Sequence, residues 1–394
     1  MKGVILVGID GGATKVSGWQ VIVNEEDRTF KLGNLSSSKS YDEIPGFVAD
    51  FEPVPIPDQL SQMDAGNIQP TTAEKKQEAV YVEASAAVVE DLFEKNSGKK
   101  ILVGIGMPGL KTEDRRGISV LANGPRMIHY AELLEKRLSQ KNIELLSPVH
   151  HLGSDADYCG IGENYAAEGL FRSVQNAYYL GGGTGVADAM KLYGELLPFD
   201  LIKDWLAKTW EMKSADGRSL ERFTSVGGMQ AVYAEISGKK VSKLNEQGVY
   251  PLQIAKLAAK GDSAARKMIE LAVENLGMLF FERITSLYSG SLGVFQFVNP
   301  NRPQLNKEHH YMGSVFDCVI VGQRLGELFD SGFGKQVLRN PVITSLSVLI
   351  SNSKDLSAEA KVHYSDLNNI IQISKLREAP ALGAGIDAYL TYKG

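Results

Sequence analysis

The feature that most constrains this chain is an apolar run stopped by a pair of glycines: residues 3–23 read GVILVGIDGGATKVSGWQVIV. The run ends in Asp10, Gly11 and Gly12, passes Thr14 and Lys15, and resumes as a second extended stretch through Val23. This pattern predicts strand, tight turn, strand. The glycines allow backbone conformations and close ligand approach that a Cβ would obstruct, and the free amides of such a turn can form an anion-binding nest. Asp10 at its mouth can hold a hydrated divalent cation, and Lys15 a phosphate oxygen. An ordinary hairpin with a solvated lysine has the same local signature, so the rest of the chain has to decide.

Residues 176–194, NAYYLGGGTGVADAMKLYG, repeat the design: an apolar strand, then Gly181, Gly182, Gly183, Thr184 and Gly185, then another extended run. Two such turns facing each other could hold successive phosphates of one nucleotide. Neither cluster spells G-x-x-x-x-G-K-[ST] or G-x-G-x-x-G. Both precede extended sequence, so a helix dipole is not the expected phosphate anchor.

The 394 residues suffice for two or three domains. A net charge of −5 gives no electrostatic case for a nucleic-acid or anionic-membrane partner. The two cysteines, Cys159 and Cys318, lie far apart, which excludes a thiolate metal cluster or disulfide framework and suits a reducing cytoplasm. No stretch reaches the ~18 apolar residues of a membrane span, and the apolar opening is too short for a signal segment. A cytoplasmic location is expected.

Between the turns, residues 24–72 are rich in Pro, Ser and acidic side chains. Prolines 53, 55 and 57 predict neither helix nor central strand there, with one or two short strands around 30–35. A helix is predicted over 72–95, stopped by Gly98, followed by a buried strand in ILVGIGMPGL (101–110) and a helix over 129–140. Strand, helix and strand of this kind imply parallel pairing, with ligands at the carboxyl edge. In SPVHHLGSDADYCG, a short strand over 150–153 precedes a helix over about 156–168, with Ser154 or Asp155 as its cap. For Asp155 capping and catalysis are both open. The adjacent pairs His150–His151 and His309–His310 lack the spacing of a metal-binding helix. Downstream, helices are predicted over 200–210, 226–237, 251–260 and 262–288, then strands over 316–322 and 370–374, and a closing helix from APALGAG, 379–390.

DGGATK, GIGMPG, SDAD, GGGTG and ALGAG in this order resemble the ROK family of sugar kinases within the actin, Hsp70 and hexokinase superfamily. The resemblance spans nearly the whole chain, with extra material at about 24–72 and 288–312. It implies two ribonuclease-H-like α/β domains with mixed sheets flanked by helices, closing over a central cleft. Residues 1–150 plus about 380–394 would form the smaller domain and 151–379 the larger. It further implies an ATP-dependent kinase acting on a hexose or N-acetylhexosamine, with Asp155 as the base that takes the hydroxyl proton. Asp10, Gly11, Gly12, Thr14 and Lys15 would form the first phosphate loop, with Mg²⁺ held by Asp10 through water. Gly182, Gly183, Thr184 and Gly185 would form the second, Gly383 and Gly385 would lie beside the adenosine, and Asn123, Ser154 and Glu221 would contact the sugar. A homodimer is implied by the resemblance alone; no nucleic-acid or membrane partner is.

The sequence departs from the family pattern after the second loop. The Gly-Glu-Ile-Gly-His segment is not recognisable, GRSLERF replaces the Cys-rich zinc motif, and Ser154 stands where an asparagine precedes the catalytic aspartate. The nucleotide half is therefore matched more closely than the sugar half. Other activities of the superfamily are a non-catalytic sugar sensor, a filament-forming ATPase, and an activase holding an iron–sulfur cluster, the last disfavoured by the two scattered cysteines. Family repressors carry a DNA-binding segment ahead of the first loop, and here that loop begins at Asp10.

Overall fold

The computed structural model describes residues 3–96 and 100–394, so the helix stop expected at Gly98 lies outside the described residues. The chain divides into two units, Met1–Ala167 with Glu378–Gly394, and Glu168–Arg377. The division falls C-terminal to the expected 150/151, because the Asp155–Tyr165 helix packs on the C-terminal helix Ala379–Lys393 and stays with the first unit.

In the first unit, strands β1 (Val4–Gly11), β2 (Lys15–Asn24) and β3 (Thr29–Ser40) form an antiparallel meander. Strand β4 (Lys100–Gly106) adds in parallel to β1, and Leu152–Gly153 in parallel to β4. The short strands expected near 30–35 are one long strand. Helix α2 (Thr72–Glu94) begins at a capping box, Thr71 accepting from the Glu74 N–H while Glu74 accepts from the Thr71 N–H. It covers one face of the sheet with Val80, Ala84, Val88 and Leu92.

The prolines at 53–57 do not exclude a helix. Helix α1 (Ile56–Asp64) starts there with Pro55 at the N-cap and Pro57 in the first turn, where backbone N–H groups need no intrahelical partner. Its buried Gln59 donates to the Leu121 carbonyl and accepts from the Leu121 N–H. Below it, fully buried Arg126 makes a bidentate pair with buried Glu74, 2.6 and 2.7 Å.

The second unit repeats the topology. Ala177–Gly182, Val186–Leu192 and Glu195–Leu197 form the meander, and Cys318–Gly322 and Ile371–Ile373 add in parallel. The long helix Ser263–Ser289 buries Met268, Leu276, Phe280 and Ile284 in its core. The helix expected over 200–210 is only Phe199–Ile202 and a single turn at Thr209–Glu211. Trp205, Leu206 and Ala207 are buried between them, with Trp205 stacked 3.9 Å on His309, so tertiary burial overrides local periodicity.

Candidate functional site

Each glycine turn joins the first two strands of its own sheet. In the first unit Gly11 pairs with Val16, and the turn closes through a Gly12 N–H to Lys15 carbonyl bond of 2.9 Å. The Tyr41 hydroxyl donates to the Gly12 carbonyl, the Tyr81 hydroxyl to that of Ala13 and the Tyr41 N–H to that of Thr14. The two tyrosine rings stack at 3.7 Å. With its carbonyls taken by the protein, the turn keeps the N–H groups of Ala13 and Thr14 without a protein acceptor among the described residues. Ala13, Thr14 and Lys15 are exposed. This is the construction an anion-binding turn requires.

The register gathers the carboxylates. Asp10 lies opposite Gly106, and Gly106 opposite Gly153, so all three sit at the carboxyl edge of the sheet's parallel part. Asp155 follows two residues after Gly153 as the first residue of its helix. Ser154, at the N-cap, makes no side-chain capping bond, and among the described residues the Asp155 carboxylate accepts only from the neighbouring Ala156 N–H, 3.0 Å. Asp155 is therefore not the N-cap, and it belongs to the same unit as Asp10, not to the one expected. Burial, then the nearby charges of Asp155 and Glu378, raise the Asp10 pKa to about 7 against the lowering pull of Lys15. Glu378, at the N-terminus of the last helix, is a member of this group that sequence reading missed. Its position is set by a chain end far away in sequence.

Gly383 and Gly385 do something else. A Cβ on Gly383 would stand 1.9 Å from the Tyr158 carbonyl oxygen, and one on Gly385 2.6 Å from the Val21 side chain. Across the contact, a Cβ on Gly8 would meet the Ala381 carbonyl at 1.7 Å. Both residues are buried, so the glycines of ALGAG let the last helix lie against the sheet and the Asp155–Tyr165 helix. Packing alone therefore accounts for glycine at both positions. Asn123 is exposed on a loop whose next residue, Gly124, lies against the Tyr81 hydroxyl that supports the first turn.

In the second unit the turn closes through a Gly183 N–H to Gly185 carbonyl bond of 2.9 Å. The Gly227 N–H takes the Gly183 carbonyl and the Ser225 hydroxyl that of Thr184. The Glu221 carboxylate accepts from the Val186 N–H at 3.1 Å and lies 2.8 Å from where a Gly185 Cβ would be, so Glu221 borders this turn. Gln323 also borders it, its amide within 3.0 Å of the Cβ positions of Gly181 and Gly183. Its φ of 55° is rare for a residue with a side chain. The only sequence signal for it is VGQRLG, a strand ending at a glycine.

Before Glu221, where the Cys-rich pattern is replaced, the described residues include no three His, Cys, Asp or Glu side chains grouped to hold a metal. The turn at 214–218 is closed instead by a Ser214 N–H to Arg218 carbonyl bond and by an Arg218–Asp216 ion pair that pulls Asp216 to about 2.

No family model and no curated protein matches this sequence. Solved structures do match in fold. A ROK family glucokinase from Streptomyces griseus, in complex with glucose and AMPPNP, superposes with a TM-score of 0.59 at 14% identity, covering 99% of this chain and 100% of its own. The ROK hexokinase from Thermus thermophilus gives 0.53 at 16%, covering 99% of both. A ROK family transcriptional regulator, a homolog of the E. coli MLC protein, gives 0.52 at 12%, covering 98% of this chain and 78% of its own. Among the described residues no helix is long and apolar enough to cross a membrane. The chain has the two-unit, mixed-sheet α/β fold of these ROK proteins.

Proposed function

We propose that this protein is an ATP-dependent sugar kinase that transfers the γ-phosphate of Mg-ATP to a hydroxyl of a hexose or N-acetylhexosamine. The carrying observation is the carboxylate pair Asp10 and Asp155 at the edge of one sheet, next to a glycine turn whose carbonyls are all tied back into the protein. Phosphoryl transfer needs mainly positioning and charge neutralisation. The first turn, Asp10 to Lys15, with the N–H groups of Ala13 and Thr14 that lack a protein acceptor among the described residues, and the second turn, Gly182 to Gly185, are assigned to the polyphosphate, with Lys15 adding a cation. Asp155 is assigned the acceptor hydroxyl. As that oxygen bonds to the γ-phosphorus and the bond to the bridging oxygen breaks, the carboxylate takes the proton. Ser154, Asn123 and Glu221 are assigned to the sugar, and Glu221, which borders the second turn, is suited to a contact near the transferred group.

The residues fit a hydrated Mg²⁺ better than a directly ligated one, since Asp10 stands on a turn with no three-residue metal cluster among the described residues. The ion, when bound, supplies charge neutralisation for the phosphates. It also favours the ionised Asp10, which burial and two neighbouring carboxylates otherwise disfavour. The soluble, cytoplasmic setting and a homodimer are part of this reading.

A second reading has its own support, since a ROK transcriptional regulator shares the fold. ADP release with Mg-ATP across hexoses and N-acetylhexosamines separates the two. Sugar-dependent release supports the kinase, sugar-independent release an ATPase, and thermal stabilisation by sugar without release a sensor.

A further inference from the structure

The long helix ends in Ser289, and residues 288–312 run irregularly back over the second unit. Within this stretch Gln296–Phe297 pairs antiparallel with Met212–Lys213, the strand that leads into the 214–218 turn. Together with Glu282 they enclose a cavity of about 410 Å³, within the roughly 300–1,000 Å³ of small-molecule pockets.

Its lining is chemically mixed. Glu282 is only 4% exposed, bonded to Arg283 at 2.8 Å and Ser286 at 2.9 Å, and each of its oxygens retains accepting capacity. Gln296 and Asn299 bring side-chain amides, and Phe297 an aromatic ring with the Arg302 guanidinium 4.5 Å above it. Arg302 is already held by Glu211 and by the Lys203 carbonyl, whereas Lys213 has no ion partner among the described residues. One uncommitted cation is too little for a polyphosphate, and this many polar groups disfavour an apolar guest. A buried carboxylate, two amides and a ring beside one ammonium match a ring of hydroxyl groups.

We propose that this cavity is a second ligand site, distinct from the glycine turns, and that it binds a polyhydroxylated small molecule: a monosaccharide or its phosphate ester. The Glu282 end is rigid. Arg283 reaches from it to Asp188 and Thr209, and Asp188 accepts from the Tyr178 hydroxyl. Asp188 lies on Val186–Leu192, the strand that leaves the second glycine turn, so an occupant touching Glu282 meets the strand network next to that turn. The site does not depend on phosphoryl transfer by the chain.

The test is calorimetric titration of the full chain with glucose, N-acetylglucosamine and glucose 6-phosphate, without nucleotide. The variants are Gln296→Ala/Asn299→Ala, Lys213→Met, and Asp155→Ala as a control outside the cavity. The double variant changes exposed residues and is checked for an unaltered melting temperature. The expected result is a binding component weakened at least ~10-fold by the double variant and retained in Asp155→Ala. If Lys213→Met weakens only the phosphate ester, the ester is the ligand; if it leaves both sugars and ester unchanged while the double variant does not, the free sugar is. Absence of binding, or binding indifferent to the double variant, overturns the proposal. Loss of ATP turnover with this component intact would refute the kinase reading alone.

Discussion

In the first glycine turn two stacked tyrosines hold the carbonyls of Gly12, Ala13 and Thr14, whereas in the second the Gly227 amide in the first turn of the Val226–Ser237 helix and the N-cap Ser225 of that helix hold those of Gly183 and Thr184. The skeletons are alike, each joining the first two strands of a five-stranded sheet of the same order. The surroundings differ. The first turn carries Asp10, whose pKa burial first, and then the nearby charges of Asp155 and Glu378, raise to about 7. The second carries Glu221 bonded to the Val186 N–H and a strained Gln323 over its glycines. In the proposed kinase reading one design recurs as an anion-binding scaffold, and the carboxylates around the first copy would add the acid–base and cation chemistry. That reading gives holding to both turns and reaction to one.

The largest effect tests which glycines are structural. Gly383→Ala should destabilise by about 3 kcal/mol in urea unfolding, because its Cβ would collide with a backbone carbonyl at 1.9 Å. A Gly383→Ala chain of unchanged stability but weak nucleotide binding would return this residue to the ligand site.

Asp10→Asn comes next. With a folded pKa near 7 against an ordinary 3.8, Asp10 binds more protons in the fold than unfolded, so stability falls as pH rises from about 4 through 7. Without Mg²⁺ the variant should therefore be more stable than wild type at pH 8, by ~2 kcal/mol after discounting for partial exposure, and equal to it below pH 4. Equal pH profiles would mean that neither burial nor the neighbouring carboxylates hold Asp10 above its ordinary range.

A smaller effect separates holding from folding at the first turn. A Gly12 Cβ would meet only the Lys15 carbonyl at 3.3 Å, so Gly12→Ala should fold normally and bind ATP ~10-fold more weakly by titration. The smallest belongs to the second turn: Gln323→Gly should raise stability by up to ~1 kcal/mol by relieving its positive φ. A loss instead would show that the Gln323 side chain braces the glycines.

Much of this was legible in the sequence because glycine runs after apolar strands are local signals, and both turns and both meanders follow from them. Asp155 is read from the sequence as a candidate site residue, but its membership of the first unit is not legible there. Its helix is assigned by packing on residues 379–393, a contact that spacing does not encode. The same long-range contact hid Glu378 and turned Gly383 and Gly385 into packing residues. Pro55 and Pro57 misled because proline blocks a helix interior yet is tolerated in a first turn. Trp205 misled because a helical pattern can also be buried without a helix.

The account turns on Asp155 acting as base toward a sugar hydroxyl. The direct measurement is ADP release from Mg-ATP by wild type and Asp155→Ala, with and without an acceptor sugar identified from the panel. The expected result is release that requires the sugar and falls by about 10²–10⁴ in the variant, with ATP binding retained. Release independent of sugar, or a variant as fast as wild type, would contradict it.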